Sequence, residues 1–389
     1  MATARPDGTT ETAQLDRTRP DPTRPDPTRP DPTRPDPAGP GPAARPDSAP
    51  RDDTAAAPAG RLAVEYVLPL RWTEDSELVE LTAYLRRLSR QVDVTVVDGS
   101  PPEIFARHAA AWAGIARHLP PDPDLGYANG KVNGVTSGLR RARHEHVVIA
   151  DDDVRYGEPE LRAVTGALDH ADLVRPQNYF SPLVWHARWD TARTLLNRCL
   201  GGDYPGTFGI RRSTFEAMGG YDGDVLFENL ELIRTVRAAD GREVRLDDVF
   251  VRRLPPDTVR FLDQRVRQAY DDLAQPVRLV AFLSIVPVTA AAVAAGHAWL
   301  PLALAAGAVA VAETGRRRRS GATVFPASAS LLAPLWLLER AVCGWLAVGL
   351  RATRGGVSYA GGRIRTPAHA IRDIRRRLRA RTPAPAQAA

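Results

Sequence analysis

Apolar residues in the first folded stretch fall into short, mostly apolar runs separated by longer segments with helical spacing. The runs LAVEYVLPL (62–70), VDVTVVDGS (92–100) and HVVIA (146–150) read as strands. Between the first two, Leu78, Leu81, Leu85 and Leu88 share one helical face and predict a helix over 76–90. Further helices are expected over 102–118 and 130–142, the second leading into the strand at 146–150. Strands alternating with helices predict an α/β domain over 61–275, its sheet mostly parallel and covered by helices on both faces.

The pattern changes after residue 275. Residues 279–312 carry no charge apart from His297. That run is too long for one ordinary membrane helix and sufficient for two short ones, with Gly296, His297 and Pro301 offering a turn. A second apolar stretch, 322–350, contains Glu339 and Arg340, which are costly at mid-membrane depth. Residues 276–350 are therefore expected to form hydrophobic membrane helices, with 322–350 lying in the interface or re-entering rather than crossing once. The positive-inside rule puts Arg316–Arg319 in the cytosol together with the α/β domain. Residues 351–389 form a basic tail. Residues 1–60, in which TRPDP recurs four times over 18–37, hold too little apolar surface to fold and read as a disordered, proline-rich tail.

Charge sharpens this organisation. The formal net charge of +6 is uneven, with ten arginines between Arg351 and Arg381 and four at 316–319. A basic end beside hydrophobic segments suits anionic lipid, and 6% aromatic residues give no base-stacking surface, so no nucleic-acid partner is expected. Two distant cysteines exclude a disulfide framework and fit a reducing compartment. No apolar segment of signal-peptide type stands at the start of the chain.

Candidate chemistry concentrates in ANGKVNGVTSGLRRARHEHVVIADDD, which ends in Asp153. Lys131 is the sole lysine; every other basic residue among the 52 is arginine. It opens a helix in a glycine-flanked turn, where backbone N–H groups and an ammonium suit a phosphate. Asp151, Asp152 and Asp153 follow a buried strand, and alternation lets Asp151 and Asp153 share an ion while Asp152 points elsewhere. Asp98 also ends a strand, before a Gly-Ser turn, in position to accept hydrogen bonds from a base or ribose.

VVDGS, NGKVNGVTSGL, VIADDD, GGYDGDVLFENLEL and QRVRQ, in this order, resemble an inverting family 2-type glycosyltransferase of the GT-A fold. The nearest likeness is the membrane-anchored branch that includes ceramide glucosyltransferase-like and cellulose synthase-like enzymes. The resemblance spans roughly residues 62–270, and GGVSYAGGRI (355–364) resembles that branch's segment after the membrane helices. It implies a Rossmann-like α/β domain and a cell-membrane location with the catalytic domain cytoplasmic. The implied reaction moves a hexose from a nucleotide diphosphate sugar to a hydroxyl of a lipid or lipid-linked glycan.

By the same resemblance, Asp98 contacts the base and Lys131 lies near the nucleotide. Asp151 and Asp153 hold Mg²⁺ or Mn²⁺ on the diphosphate. The general base belongs to an acidic pair at a helix start, here Glu228-Asn229; Glu228 is the candidate, Glu231 the second choice, and Asp222 or Asp224 follow. Gln264 and Arg267 belong to the acceptor-side box, with Arg267 on the diphosphate. Arg211, Arg212 and the 204–208 loop are further candidates for the acceptor face, whereas Trp185 and Trp189 read as packing or membrane-edge residues. Asn229 and Gln268, which replace the family's acid and tryptophan, motivate an alternative: a GT-A-fold binding or scaffold protein without catalysis. A metal-dependent nucleotidyl- or phosphotransferase is a third reading.

Overall fold

Every side chain of β1 (Val64–Leu70) is buried, as a strand covered on both faces requires, and the one charged residue, Glu65, is bonded there to Thr95 and Arg117. After it come α1 (Leu78–Leu88), β2 (Asp93–Asp98), α2 (Pro102–Trp112), β3 (Arg117–Leu119), α3 (Gly130–Arg140) and β4 (His146–Ala150). The computed structural model describes residues 60–359 and 361–381, so the TRPDP segment lies outside the described residues. The four strands run parallel in the order β3-β2-β1-β4. Tyr66 and Leu68 of β1 meet Leu81 and Leu85 of α1 on one face, while Val67 meets Val132, Val135 and Leu139 of α3 on the other. The helix expected over 102–118 is shorter: it stops at Trp112, Gly114 turns the chain at φ 72°, and Arg117–Leu119 becomes an edge strand. Three residues are too few to show a periodicity.

The chain continues through β5 (Val154–Arg155), α4 (Glu158–Leu168), β6 (Leu173–Phe180), α5 (Trp185–Leu200), β7 (Thr207–Arg211), α6 (Arg212–Ala217), α7 (Glu228–Ala238) and β8 (Glu243–Arg253). The full sheet has eight strands in the order β3-β2-β1-β4-β7-β6-β8-β5. β7 runs antiparallel to β4 and β6, β5 runs antiparallel to β8, and the remaining pairs are parallel. The expected α/β class, mostly parallel with helices on both faces, is what the structure has. Two glycines set how closely α3 approaches β1. A Cβ on Gly138 would lie 2.3 Å from Val67 Cγ1, and one on Gly134 2.8 Å from Pro69 Cβ. This close approach brings the start of α3, and with it Lys131, to the ends of β1 and β4.

Next come α8 (Thr258–Tyr270), α9 (Pro276–Ala294), α10 (Trp299–Arg317), α11 (Ala327–Leu331), α12 (Ala333–Arg354), the hairpin β9 (Val357–Tyr359) and β10 (Gly362–Ile364), and α13 (Ile371–Arg381). α9 and α10 are joined through Gly296 at φ 79°. Among the described residues, α9 and α12 are long and apolar enough to cross a membrane, and none of the most apolar window of α9 is buried. α10 packs tightly on α5: Ala308 and Ala312 join Ala192 and Leu195 in one core, and a Cβ on Gly315 would lie 1.9 Å from Leu195 O.

The charged pair in the last apolar stretch is partnered by side chains of other elements. Glu339 accepts from Arg265 Nη2 at 2.6 Å and from the Trp189 indole at 2.9 Å, and Arg340 is 3% exposed with Nε 3.5 Å from Asp272. α12 thus turns its charges toward the α/β body and leaves Leu335, Leu338, Val342, Trp345 and Leu346 about half exposed on its other side. Past α12 the chain returns to that body. Leu226 N–H donates to Thr366 O at 3.0 Å, Phe227 N–H donates to Pro367 O at 2.8 Å, and α13 packs on α7.

Candidate active site

A cleft of about 550 Å³ opens where β1, β2 and β4 end, as ligand sites do in α/β sheets. Its walls include Lys131, Asp151, Asp153, Glu228, Arg253, Gln264, Arg267, Asp271 and Tyr359. Lys131, Asp151 and Glu228 are delivered by local rules of folding. Asn129 caps α3, its side chain accepting from Lys131 N–H at 3.1 Å, which places Lys131 in the first turn. Asp151 follows the last apolar residue of β4, and Glu228 is the first residue of α7.

Lys131 ties these pieces together. Its Nζ lies 2.6 Å from Asp151 Oδ1, 2.9 Å from Glu228 Oε1 and 3.2 Å from Asn229 Oδ1. Burial works against the ammonium, but Asp151 and Glu228 outweigh it and hold the group above its ordinary value. Asn229 also donates to Pro205 O at 3.1 Å, so it fixes a loop and orients the lysine.

A second cation stands on the opposite side of the aspartates. Arg253, at the end of β8, donates from Nε to Asp153 Oδ2 at 2.9 Å and from Nη2 to Asp151 Oδ2 at 3.4 Å. Asp153 Oδ1 remains buried without a hydrogen-bond partner. Burial, aided by the charges of Asp151 and Asp152 and opposed by Arg253, pushes the Asp153 carboxyl up to about 6. Two facing carboxylates with an orphaned buried oxygen are a hard-oxygen donor set that Mg²⁺ or Mn²⁺ fits. Asp152 also lines the cleft and accepts from the Trp72 indole at 2.6 Å.

The other sequence candidates fall in different places. Gln264 and Arg267 line the cleft, with the Arg267 guanidinium 5.5 Å from the centre of the Tyr359 ring. Asp98 ends β2 but lies beneath the surface, 1% exposed. It accepts from Ser100 N–H at 2.9 Å and pairs with His108 Nδ1 at 2.6 Å and His118 Nε2 at 2.9 Å. Burial would raise its carboxyl, yet these bonds pull it down to about 2. His108 and His118 are near enough for a metal-type cluster, but their spacings to Asp98 are those of hydrogen bonds. Glu231 is 1% exposed and faces the tail, accepting from His369 N–H at 2.7 Å and lying 3.0 Å from its Nδ1. Asp222 pairs with Arg377, Asp224 accepts from Ala128 N–H, and Arg211 and Arg212 pair with Glu145 and Glu216; none of these lines the cleft. Of the 204–208 loop, Tyr204 lines it and Phe208 is core.

The Glu231–His369 contact carries a pH dependence. The bond to Glu231 holds the His369 imidazolium above its ordinary 6.5, against burial and the neighbouring Arg377 and with help from Asp222. A raised folded-state value means that the stabilisation is complete below the ordinary value and is lost as pH rises through the raised one. Hydrogen exchange across 366–381 is expected to accelerate through that range by more than intrinsic base catalysis. In Glu231→Gln the extra step should vanish; its persistence would exclude this pair as the cause.

Sequence reasoning missed Arg253, Asp271 and the role of Tyr359. Arg253 is one arginine among 51, and nothing in its neighbourhood marks it. Asp271 starts the short 3₁₀ turn after α8, in a cleft wall that also holds Asp272. Burial, followed by the charge of Glu228, raises its carboxyl well above the usual range, and its Oδ1 has no hydrogen-bond partner. Tyr359 reaches back to donate to Asn129 Oδ1 at 3.1 Å, a contact 230 residues apart in sequence.

No family model matches the chain, and no curated protein matches it. Among solved structures it is similar to the mannosyltransferase PcManGT from Pyrobaculum calidifontis in complex with GDP-Man and Mn²⁺. That likeness has 20% identity and a TM-score of 0.43, covering 75% of this chain and 90% of that one. It is also similar to glucosyl-3-phosphoglycerate synthase from Mycobacterium tuberculosis, with 18% identity, 56% of this chain and 80% of that one covered, and a TM-score of 0.37. Neither likeness reaches a TM-score of 0.5, and the chemistry rests on this chain's own residues.

Proposed function

We propose that the chain is a family 2-type, GT-A-fold glycosyltransferase of the membrane-anchored branch. It moves a hexose from a nucleotide diphosphate sugar to a hydroxyl on a lipid or lipid-linked acceptor, with inversion at the anomeric carbon. The observation that carries this reading is the convergence of Asp151, Asp153, Lys131, Glu228 and Arg267 on one cleft at the strand ends. Asp151 and Asp153 would hold Mg²⁺ or Mn²⁺, which when bound neutralises charge on the departing diphosphate. Lys131 and Arg267 bind and orient the diphosphate from either side. Arg253, which pairs with both aspartates, keeps them facing each other before donor arrives. The apolar outer faces of α9 and α12 would rest in the cell membrane, with the cleft on its cytoplasmic side.

Two carboxylates flank the place where an acceptor hydroxyl would lose its proton. Glu228 is held by Lys131, and Asp271 lies close enough to feel its charge. With Glu228 as base, Glu228→Gln lowers turnover by about 10²–10⁴-fold and leaves donor binding intact, while Asp271→Asn costs less. The reverse order would give the role to Asp271. The direct test incubates the purified full-length chain in detergent with labelled sugar nucleotides, Mn²⁺ and lipid extract. Absence of released nucleoside diphosphate with every donor would sink the transferase reading.

One observation favours a second reading. Lys131 and Arg253 already neutralise Asp151, as expected of a cleft that binds without catalysing. A non-catalytic protein would bind nucleotide sugar, show no turnover, and be indifferent to Glu228→Gln. Pyrophosphate or nucleoside monophosphate as product would instead indicate a nucleotidyl- or phosphotransferase.

A further inference from the structure

Three arginines in the cleft take no part in the donor chemistry above. Arg193 comes from α5, Arg278 from α9 and Arg340 from α12, and all three line the same cavity as Asp151 and Glu228. Arg340 is 3% exposed, and the structure gives its guanidinium no hydrogen bond; its nearest anion is Asp272 Oδ2, 3.5 Å from Nε. Arg193 has a buried Nε without a partner. Arg278 is held in place by Asn197 Oδ1 at 2.9 Å and Asp272 Oδ1 at 3.2 Å, with its guanidinium 5.1 Å from the Phe282 ring centre. Asp203, the next acid, spends its oxygens on Thr194 and Asn197. Asp272 is the one carboxylate that these guanidinium groups contact directly, with the charge of Asp203 near Arg193 and Asp271 near Arg340, and a buried guanidinium without hydrogen bonds is costly unless a ligand supplies acceptors.

The surroundings select the ligand. Arg278 sits between Val277 and Val280, which are 87% and 62% exposed, and Arg340 sits between Leu338 and Val342, both 49% exposed. On both helices an inward cation alternates with an outward apolar stripe, the arrangement that receives a charged head on one side and chains on the other. Guanidinium forks match the oxygens of a phosphate. We propose that Arg193, Arg278 and Arg340 form a phosphate-binding subsite on the acceptor side of the cleft. The apolar stripes of α9 and α12 make a lipid the carrier of that phosphate. The subsite rests on the transferase reading only for its assignment to the acceptor; the binding of phosphate stands without it.

The test uses the full-length chain in neutral detergent at constant ionic strength, with thermal unfolding as readout. The probes are dihexanoyl phosphatidic acid, dihexanoyl phosphatidylcholine and inorganic phosphate. Phosphatidic acid is expected to raise Tm saturably, phosphatidylcholine to leave it unchanged, and inorganic phosphate to act at higher concentration. Arg193→Gln and Arg278→Gln should each weaken the apparent Kd for phosphatidic acid tenfold or more, with partial recovery in Arg193→Lys. Arg376→Gln on the exposed tail should change nothing. Arg340 is left intact because its burial puts folding at risk. A response to inorganic phosphate alone, lost in the same variants, keeps the subsite and assigns it to a free phosphate. Equal responses to phosphatidylcholine, or wild-type affinity in both glutamine variants, overturn the proposal. The response to nucleoside diphosphate with Mn²⁺, read in the same samples, separates the two ideas. If it persists while the phosphate response is missing, only the subsite falls; if it alone is missing, the transferase reading falls.

Discussion

Asp151→Asn is expected to reduce sugar transfer by about 10²–10³-fold and to abolish stabilisation by Mn²⁺. Asp151 is the residue on which Lys131 and Arg253 meet, 2.6 Å from the first and 3.4 Å from the second. Asparagine has nearly the same shape, so the fold is kept, but it offers one neutral oxygen where a charged pair stood. Lys131 would then be left with Glu228 as its only anionic partner. A Cβ on Gly206 would lie 2.6 Å from Asp151 Oδ2, so the side chain has little freedom to compensate by moving. Asp152→Asn is the control. Its carboxylate is bound to Trp72 rather than to either cation, and activity should change by less than about tenfold. Transfer and Mn²⁺-dependent Tm, measured on both variants, settle the matter. Equal losses in the two, or full activity in Asp151→Asn, would remove Asp151 from the site.

The largest loss of stability is expected from Arg265→Met. Arg265 is 6% exposed and donates to Asp190 at 2.7 Å and to Glu339 at 2.6 and 3.1 Å, clamping α8 to α5 and α12. Methionine matches its stem but leaves two carboxylates desolvated without a cation, a change that costs about 3–5 kcal/mol. Thermal unfolding in detergent should fall by roughly 6–20 °C. Adding Asp190→Asn and Glu339→Gln should recover part of that loss, since the buried charges then disappear with their partner. A shift below about 1 kcal/mol in the single variant would show that water already reaches the triad.

These two sites illustrate what a sequence discloses. Asp151 and Lys131 are legible because each stands at a boundary that local rules define, a strand end and a helix start. β1 and β4 are legible because both faces are covered and their runs are mostly apolar, Glu65 and His146 aside. Arg265 and Glu339 are hidden for the opposite reason. Their partners are 74 residues apart, and an acid inside an apolar helix reads as a problem for a membrane until the facing arginine is known. Arg253 is hidden by composition: where nearly every cation is arginine, identity carries no signal and only the sheet register, Val154 opposite Arg253, brings it to the aspartates. Asn229 reads in sequence as a lost acid, whereas its contacts to Lys131 and Pro205 give it a positioning task. Asp98 shows the limit of position alone, because a carboxylate at a strand end turned out to face two buried histidines.

The return of the chain after α12 fixes an order of assembly. Tyr359 closes on Asn129 and Arg267, and His369 takes up Glu231, yet both are synthesised after α9, α10 and α12. A nascent chain that has already made every carboxylate of the cleft still lacks the strap that closes its wall. The cleft wall can therefore close only after the apolar helices have been synthesised. Fusions that pull on the C-terminus should leave a folded sheet around an unfinished site.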